Sequence, residues 1–197
     1  MASDKFVSRG GEKLQKAIND FRLTINDKTI LDVGSSTGGF VDCLLQNGAK
    51  KVYALDTAYG ELAWKLRNDP RVVVMERTNI LFPDTWKVGS DSFQVDIVTI
   101  DAGWTKLELV LPVVRKFLKP DGLIIALLKP HYEADKRDLI KGILPAEKAE
   151  IIKDKVIKTI NGLPLKEGCV RFTINDYIDS PILGGGGNRE YLLSIKL

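Results

Sequence analysis

Residues 31–40, Leu-Asp-Val-Gly-Ser-Ser-Thr-Gly-Gly-Phe, combine small residues with a carboxylate where a strand is expected to turn into a helix. The apolar run that ends at residue 33 indicates the strand, and a helical pattern begins at Phe40. Three glycines allow a tight turn and a close approach of a ligand to the backbone. The first N–H groups of the following helix can donate to polar ligand groups. The segment therefore predicts a ligand site.

A second carboxylate and the spacing of the turn indicate which ligand. Asp56 ends the apolar run 52–55, and in nucleotide-binding α/β folds this position faces the ribose hydroxyls. Ser36 replaces the middle glycine of G-x-G-x-x-G, and no G-K-[ST] follows, which argues against a dinucleotide and against a phosphate loop. Asp32 suits a cationic ligand. The pattern predicts S-adenosylmethionine binding, and the alternative is a purely structural turn that holds no ligand.

The predicted cofactor contacts run from the turn to the third strand. Asp32 and the turn would hold the methionine end, Asp56 the ribose and Asn79 the adenine, although Asn79 can equally be an ordinary turn residue. The predicted cofactor-binding residues are Asp32, Gly34, Ser35, Ser36, Thr37, Gly38, Gly39, Phe40, Asp56, Thr57, Asn79 and Asp101.

Two further charged residues follow apolar runs. Asp101 comes after run 95–100 and Lys129 after run 122–128, and ligands bind at the carboxyl ends of strands in open parallel sheets. A lysine there is functional, or it reaches solvent, or it pairs with Asp101, because an unpaired buried ammonium is costly. His131 is the only histidine, which excludes a histidine-based triad and a multi-histidine metal site, so no metal is expected. Aromatic residues nearby could stack on a base or simply pack: Tyr59, Trp104 and Tyr132.

Alternating patterns predict the elements that position these residues. Strands are expected at 29–33, 51–55, 71–75, 95–100 and 122–128, and helices at 39–47, 59–67, 105–118 and about 146–160. An amphipathic helical pattern also follows Gly11, with Leu14, Ala17, Ile18 and Phe21 on one face. This alternation predicts an α/β fold with a parallel sheet that is covered on both faces. Residues 171–174 and 190–195 predict a final pair of strands that ends in an antiparallel edge strand, so 190–195 is expected at the edge of the sheet. The glycines at 184–187 between them form either a linker or a mobile wall of a cleft.

Whole-chain properties set wider limits. The 197 residues suggest one domain, 1–197, with a mobile start at 1–7. A net charge of +3 is compatible with RNA, and 44% hydrophobic with 28% charged residues is typical of globular proteins. Cys43 and Cys169 are expected to be reduced thiols, and no signal peptide or spanning segment is evident. A cytoplasmic protein without a membrane partner is expected.

Together these stretches resemble the TlyA-type haemolysin/rRNA methyltransferases, a branch of the FtsJ-like ribose 2′-O-methyltransferases. The matching stretches are 6–14, 31–40, 59–64, 74–79, 128–130, 180–182 and 187–190. The resemblance implies a Rossmann-like methyltransferase fold, S-adenosylmethionine as cofactor, and RNA as substrate, in particular ribosomal RNA or a ribosomal subunit. It also implies a Lys-Asp-Lys-Glu catalytic tetrad, which maps onto Lys13, Asp101, Lys129 and Glu190.

The chain departs from the family pattern in two respects. Relatives usually carry a small RNA-binding domain before the Val-Ser-Arg-Gly-Gly segment, and this sequence starts a few residues ahead of that segment. Residues 101–104, Asp-Ala-Gly-Trp, and 129–133, Lys-Pro-His-Tyr-Glu, also differ from the commoner forms beside the expected substrate cleft. These differences open the possibility of a changed substrate.

Three competing functions remain open on the sequence. A membrane-active haemolysin is disfavoured by the absence of a strongly cationic amphipathic segment. A non-catalytic, S-adenosylmethionine-binding RNA or ribosome module is disfavoured by the complete tetrad. A different methyl acceptor is the third, and a hydroxyl is preferred to a base nitrogen because no N-P-P-[YFW] motif follows the fourth strand.

Overall fold

The computed structural model describes residues 5–83, 93–103, 105–163 and 171–197. Within these ranges, helices and strands alternate along most of the chain, as the apolar periodicity predicts. The helices are α1 Gly10–Asp20, α2 Gly39–Gln46, α3 Trp64–Arg67, α4 Leu107–Val114, α5 Pro130–Glu133 and α6 Ala146–Asn161. The strands are β1 Thr29–Val33, β2 Lys51–Leu55, β3 Val72–Met75, β4 Val95–Ile100, β5 Leu118–Leu128, β6 Thr173–Asp179 and β7 Tyr191–Lys196.

The described strands form one sheet in the order β3-β2-β1-β4-β5-β7-β6. Strands β1 to β5 are parallel, and β7 is antiparallel to both of its neighbours. The strand order reverses between β1 and β4, where open α/β sheets bind ligands beyond the carboxyl ends of their strands. The predicted α/β class, with a mostly parallel sheet and antiparallel pairing at one edge, is confirmed.

The prediction that the last strand lies at the edge is wrong: β7 lies inside the sheet, and β6 forms the edge. Residues 191–195 of β7 are all buried, whereas β6 is mostly exposed and carries Asp176 and Asp179. An apolar strand gains most where both of its faces are covered, and charged residues protect an exposed edge from pairing with other chains. The two strands therefore take the order that their compositions favour.

Two apolar clusters cover the two faces of the sheet. One contains Leu14 of α1 and Phe40 and Leu44 of α2. The other contains Leu111 of α4 and Ile160 of α6. The helices before and after β1 therefore share one face, which brings the start of α1 close to the start of α2.

Two predicted helices are shorter in the structure. The segment predicted as a helix at 59–67 is helical only from Trp64, because Gly60 has φ +79° and its N–H donates to Glu76, and the Ala63 N–H donates to the Thr37 carbonyl. The helix predicted at 105–118 ends at Val114 and continues as a 3₁₀ turn at 115–117. Strand β5 begins there, four residues before the predicted start.

The start of the chain is packed from Phe6 onward, which corrects the expectation of a mobile segment up to residue 7. Phe6 is buried against Gly11, and the Val7 N–H donates to Asp42 Oδ2 at 2.8 Å. The Phe6 ring occupies the space that a side chain at residue 11 would need, and the large apolar area that an aromatic ring buries holds this segment in place. Residues 1–4 lie outside the described residues.

Candidate active site

The turn after β1 is held between three strand ends. The N–H groups of Gly34 and Ser35 donate to the Leu55 carbonyl, at 2.8 and 3.1 Å. Gly34 has φ +85°, and a methyl group on its Cα would lie 2.6 Å from the Asp101 carbonyl oxygen. This position needs glycine for its conformation and for the close approach of β4. Gly38 has φ +95° and caps the start of α2.

The Asp56 carboxylate holds the turn from the end of β2. Its oxygens accept hydrogen bonds from the Ser36 N–H at 2.7 Å and from the Ala58 N–H at 2.8 Å. Ser36 has φ +46°, a conformation that non-glycine residues adopt at a cost. The carboxylate has acceptor capacity left, since two oxygens offer about four lone-pair positions.

Two open cavities adjoin at the turn and share Gly34, Ser36 and Asp101 in their walls. The larger is about 590 Å³, which is in the range of small-molecule sites, and the smaller is about 220 Å³. Of the predicted residues, Asp56, Thr57, Asn79 and Lys129 line the larger cavity, and Lys13, Thr37, Gly39 and Phe40 line the smaller one. Ser35 also lines the smaller cavity, whereas Asp32, Gly38 and Glu190 are not in either wall.

Asp32 lies fully buried beneath the turn. Its Oδ1 accepts a hydrogen bond from Thr99 Oγ1 at 2.5 Å, and Oδ2 has no hydrogen-bond partner among the described residues. Burial raises the pKa of Asp32 to about 7, the negative charges of Asp101 and Asp56 act in the same direction, and the Thr99 hydroxyl opposes the shift. A cationic group placed nearby would favour the ionised carboxylate.

Two lysine–carboxylate pairs lie beside these cavities. Lys13 Nζ contacts Glu190 Oε2 at 2.5 Å, and Lys129 Nζ contacts Asp101 Oδ1 at 2.5 Å. Both pairs are largely removed from solvent, and the Glu190 side chain is only 2% exposed. The fold thus joins residues that the resemblance assigns to one tetrad. The ion pair of Lys129 with Asp101 is also one of the three alternatives that the sequence left open for this lysine.

His131 lies near both pairs. Its pKa is lowered by burial and then by the positive charges of Lys129 and Lys13. Lys13 and Asp101, one residue from each pair, both line the smaller cavity, so the two pairs flank one region of the site. The structure places His131 in α5, partly buried and with its ring centroid 4.2 Å from that of Tyr132.

The smaller cavity has two further walls, one from the start of α1 and one from the loop before β7. Ser8, Arg9 and Gly10 line it from the start of α1, and Gly184 and Gly185 line it from the loop before β7. The glycines of this loop were expected to be a linker or a wall, and these two form a wall. No local signal marks Ser8 or Arg9, because only the packing of α1 on α2 brings them to the turn.

The remaining predicted residues are dispersed. Tyr59 is exposed, with the Arg77 guanidinium 4.2 Å from its ring centroid, and Lys129 Nζ lies 5.8 Å from the Tyr132 ring centroid. Trp104 and Cys169 lie outside the described residues, while Cys43 is a buried thiol.

In the described part of the chain, no helix has both the length and the apolar character for a membrane crossing. The same residues contain no His, Cys, Asp and Glu cluster that could hold a metal ion.

The family model of FtsJ-like methyltransferases matches residues 6–197. The chain belongs to this family. The turn at Gly34, the cleft beside it and the buried Asp32 beneath it agree with that membership. An O-methyltransferase from Bacillus cereus, solved in complex with SAH, shares the fold at 16% identity and a TM-score of 0.63, and the match covers 99% of this chain and 84% of that one.

Closer relatives match along nearly the whole chain. A Bacillus subtilis protein provisionally named an rRNA methyltransferase, YqxC, is 44% identical over 97% of this chain and 66% of its own length. The Mycobacterium tuberculosis 16S/23S rRNA (cytidine-2′-O)-methyltransferase TlyA is 35% identical over 97% of this chain and 68% of its own length. A crystal structure of a Lactococcus lactis protein, provisionally named a hemolysin, is 42% identical with a TM-score of 0.86, covering 98% of this chain and 89% of that one. The chain thus spans about two thirds of the first two relatives.

Proposed function

We propose that this family member transfers a methyl group from S-adenosylmethionine to a ribose 2′-hydroxyl of RNA, with ribosomal RNA as the substrate. The observation that carries the proposal is the pair of contacts Lys13–Glu190 and Lys129–Asp101 beside the cavities that adjoin at Gly34. Membership of the FtsJ-like family and the name of the Mycobacterium relative support the chemistry and the substrate. We further propose that residues 1–197 form a single methyltransferase domain.

The residues around the turn fit S-adenosylmethionine. The adjoining cavities extend from the start of α1 past the turn to Asp56 and Asn79, which suits an elongated ligand with a nucleoside at one end. Asp56 retains acceptor capacity for ribose hydroxyls, as described above. The unpartnered Oδ2 of Asp32 fits a ligand that carries positive charge. The methionine end would therefore lie over the turn and the ribose at Asp56.

When bound, S-adenosylmethionine supplies an electrophilic methyl group. The protein must then place a ribose hydroxyl in line with it, and good alignment contributes about 7–11 kcal/mol. The Lys129 ammonium keeps its contact with Asp101 and still has N–H groups with which to donate to the hydroxyl oxygen. When the new C–O bond forms, the bond from the methyl carbon to sulfur would break and leave S-adenosylhomocysteine, and the hydroxyl would pass its proton to the Asp101 carboxylate. The Lys13–Glu190 pair forms the adjoining wall.

The test is methyl transfer by Lys129→Ala, with Lys119→Ala as the matched control. Lys119 also pairs with an aspartate of β4, Asp96 at 2.7 Å, but at the opposite end of the same two strands. Transfer of labelled methyl from S-adenosylmethionine to ribosomal subunits is measured, and the product is mapped as a 2′-O-methylated nucleotide. Lys129→Ala should lower the rate by about 10²–10⁴-fold, the range for general acid–base catalysis, because Lys129 positions both the hydroxyl and the Asp101 carboxylate that takes its proton.

Cofactor affinity by calorimetry separates binding from chemistry in the same variants. Both variants should bind S-adenosylmethionine within about twofold of wild type. Lys129 is proposed to contact the acceptor hydroxyl in the transition state, so its loss should slow the reaction without weakening the binding of the cofactor. Wild-type methylation at a base position would contradict the ribose assignment. Equal rates for Lys129→Ala and Lys119→Ala would remove Lys129 from the mechanism.

A further inference from the structure

The Gly184 backbone lies directly against the Glu190 side chain. A methyl group on the Gly184 Cα would lie 2.5 Å from Glu190 Cδ and closer still to Oε1. The φ of Gly184 is −70°, which any residue can adopt, so conformation does not require glycine there. The absence of a side chain at Gly184 is therefore needed to leave room for the carboxylate.

The loop that carries Gly184 is held in place by Asn188. The buried Asn188 side chain accepts a hydrogen bond from the Leu144 N–H at 2.9 Å and donates to the carbonyls of Gly142 and Gly185, both at 3.1 Å. The Gly184 N–H in turn donates to the Asn188 carbonyl at 2.8 Å. With these contacts at both ends of the turn, Gly184 cannot withdraw easily from a larger neighbour.

Glu190 has a restricted position for the same reason. Its carboxylate is packed against Gly184 on one side and contacts Lys13 Nζ at 2.5 Å on another. Lys13 belongs to α1 and lines the smaller cavity. A displacement of the carboxylate would therefore be transmitted to an ammonium group in the cavity wall.

We infer that Gly184 is a positioning residue: it keeps the Glu190 carboxylate in contact with Lys13 and thereby sets where the Lys13 ammonium lies in the cavity wall. Gly184 acts on the Lys13 ammonium through Glu190. The catalytic consequence rests on the proposed function, whereas the consequence for the ion pair does not.

The primary test is a direct measurement of the ion pair in Gly184→Ala, with Gly185→Ala as the matched control. Gly185 is the next residue of the same loop, and a methyl group on its Cα would meet no atom within 4 Å. The ¹³Cε and ¹⁵Nζ NMR signals of Lys13, assigned by their loss in Lys13→Arg, report the contact. Gly184→Ala should move them toward their positions in Glu190→Gln, and Gly185→Ala should leave them at the wild-type positions.

The Glu190→Asp background supplies the second arm, because its shorter side chain makes room for the added methyl. Gly184→Ala should lower kcat by about 10²-fold in the wild-type background, with little change in KM, since misplacement of a group by about 1 Å can cost that much. In the Glu190→Asp background the same change should lower kcat by less than about threefold, because neighbouring substitutions that act through one contact are not additive.

These arms separate the possible failures. An unmoved Lys13 signal in Gly184→Ala, or an equal movement in Gly185→Ala, would overturn the inference. If Gly184→Ala does not fold, Gly184→Ala/Glu190→Asp should recover the fold, and a double variant that stays unfolded would overturn it as well. Wild-type protein without methyltransferase activity would refute the proposed function, but the NMR comparison would still decide the role of Gly184.

Discussion

Replacing Asp32 by Asn is expected to change the pH dependence of folding stability. The Asn side chain keeps the shape of Asp32 and can accept the same hydrogen bond from Thr99, but it cannot ionise. In the wild type, burial raises the pKa of Asp32 from 3.8 to about 7. The folded protein therefore binds this proton more tightly than the unfolded chain does.

The sign of the effect follows from this difference. A carboxylate whose pKa is raised on folding contributes stability that is fully present below about pH 3.8 and is lost as the pH rises to about 7. One pKa unit corresponds to about 1.4 kcal/mol, so integration from pH 5.5 to pH 8 gives a loss of about 2 kcal/mol. Above about pH 7 both states release the proton, and the contribution no longer changes.

The assay is urea unfolding at half-unit steps between pH 5.5 and 8. The free energy of unfolding of the wild type, relative to Asp32→Asn, should fall by about 2 kcal/mol over this range. Asp96→Asn is the matched control, because partial burial is outweighed there by the Lys119 ammonium and the Thr29 N–H, which lower the pKa of Asp96. Asp96 is thus ionised in both states throughout the range, so its replacement should shift the curve by a constant.

Parallel curves for the wild type and Asp32→Asn would refute the reasoning. They would mean that Asp32 is ionised in the folded protein above pH 5.5, with a compensating cation or water that the burial argument ignores. A folded-state pKa below the ordinary value would give the same parallel curves, because both states would then be ionised throughout the range. In either case the argument that this carboxylate awaits a cationic ligand would lose its basis.

Two other substitutions test the turn and the buried pair, again with matched controls. Gly34→Ala should destabilise the protein by more than Gly60→Ala, measured by thermal unfolding. Both positions have positive φ, and the left-handed conformation alone costs about 1–2 kcal/mol, but only the added methyl at Gly34 meets backbone atoms, those that directly follow β4. Equal losses would show that the strand contact is unimportant. Lys13→Ala should cost about 3–5 kcal/mol in urea unfolding, because its buried glutamate loses its partner, whereas Lys16→Ala, from an exposed pair, should cost less than about 1 kcal/mol. Similar costs would contradict the buried-pair assignment.

The strands and the glycine turn could be predicted because their signals are local. The runs at 29–33, 51–55 and 95–100 are strands at the predicted bounds. The helix predicted at 59–67 was mostly wrong, because hydrogen bonds from Gly60 and Ala63 to groups outside the segment hold it in another conformation. Apolar periodicity shows which residues share one face of a helix, but it does not show which distant acceptor a backbone N–H will donate to.

The sequence by itself determined the parallel α/β arrangement, the turn from Gly34 and the presence of carboxylates at strand ends, since apolar periodicity and glycine are read residue by residue. Only the tertiary structure decided that Lys13 meets Glu190, 177 residues away, and that Gly184 has to be small for that contact to form. The same holds for the insertion of β7 between β5 and β6. These contacts depend on how helices and strands that are distant along the chain pack together, and close packing leaves room for one arrangement of side chains.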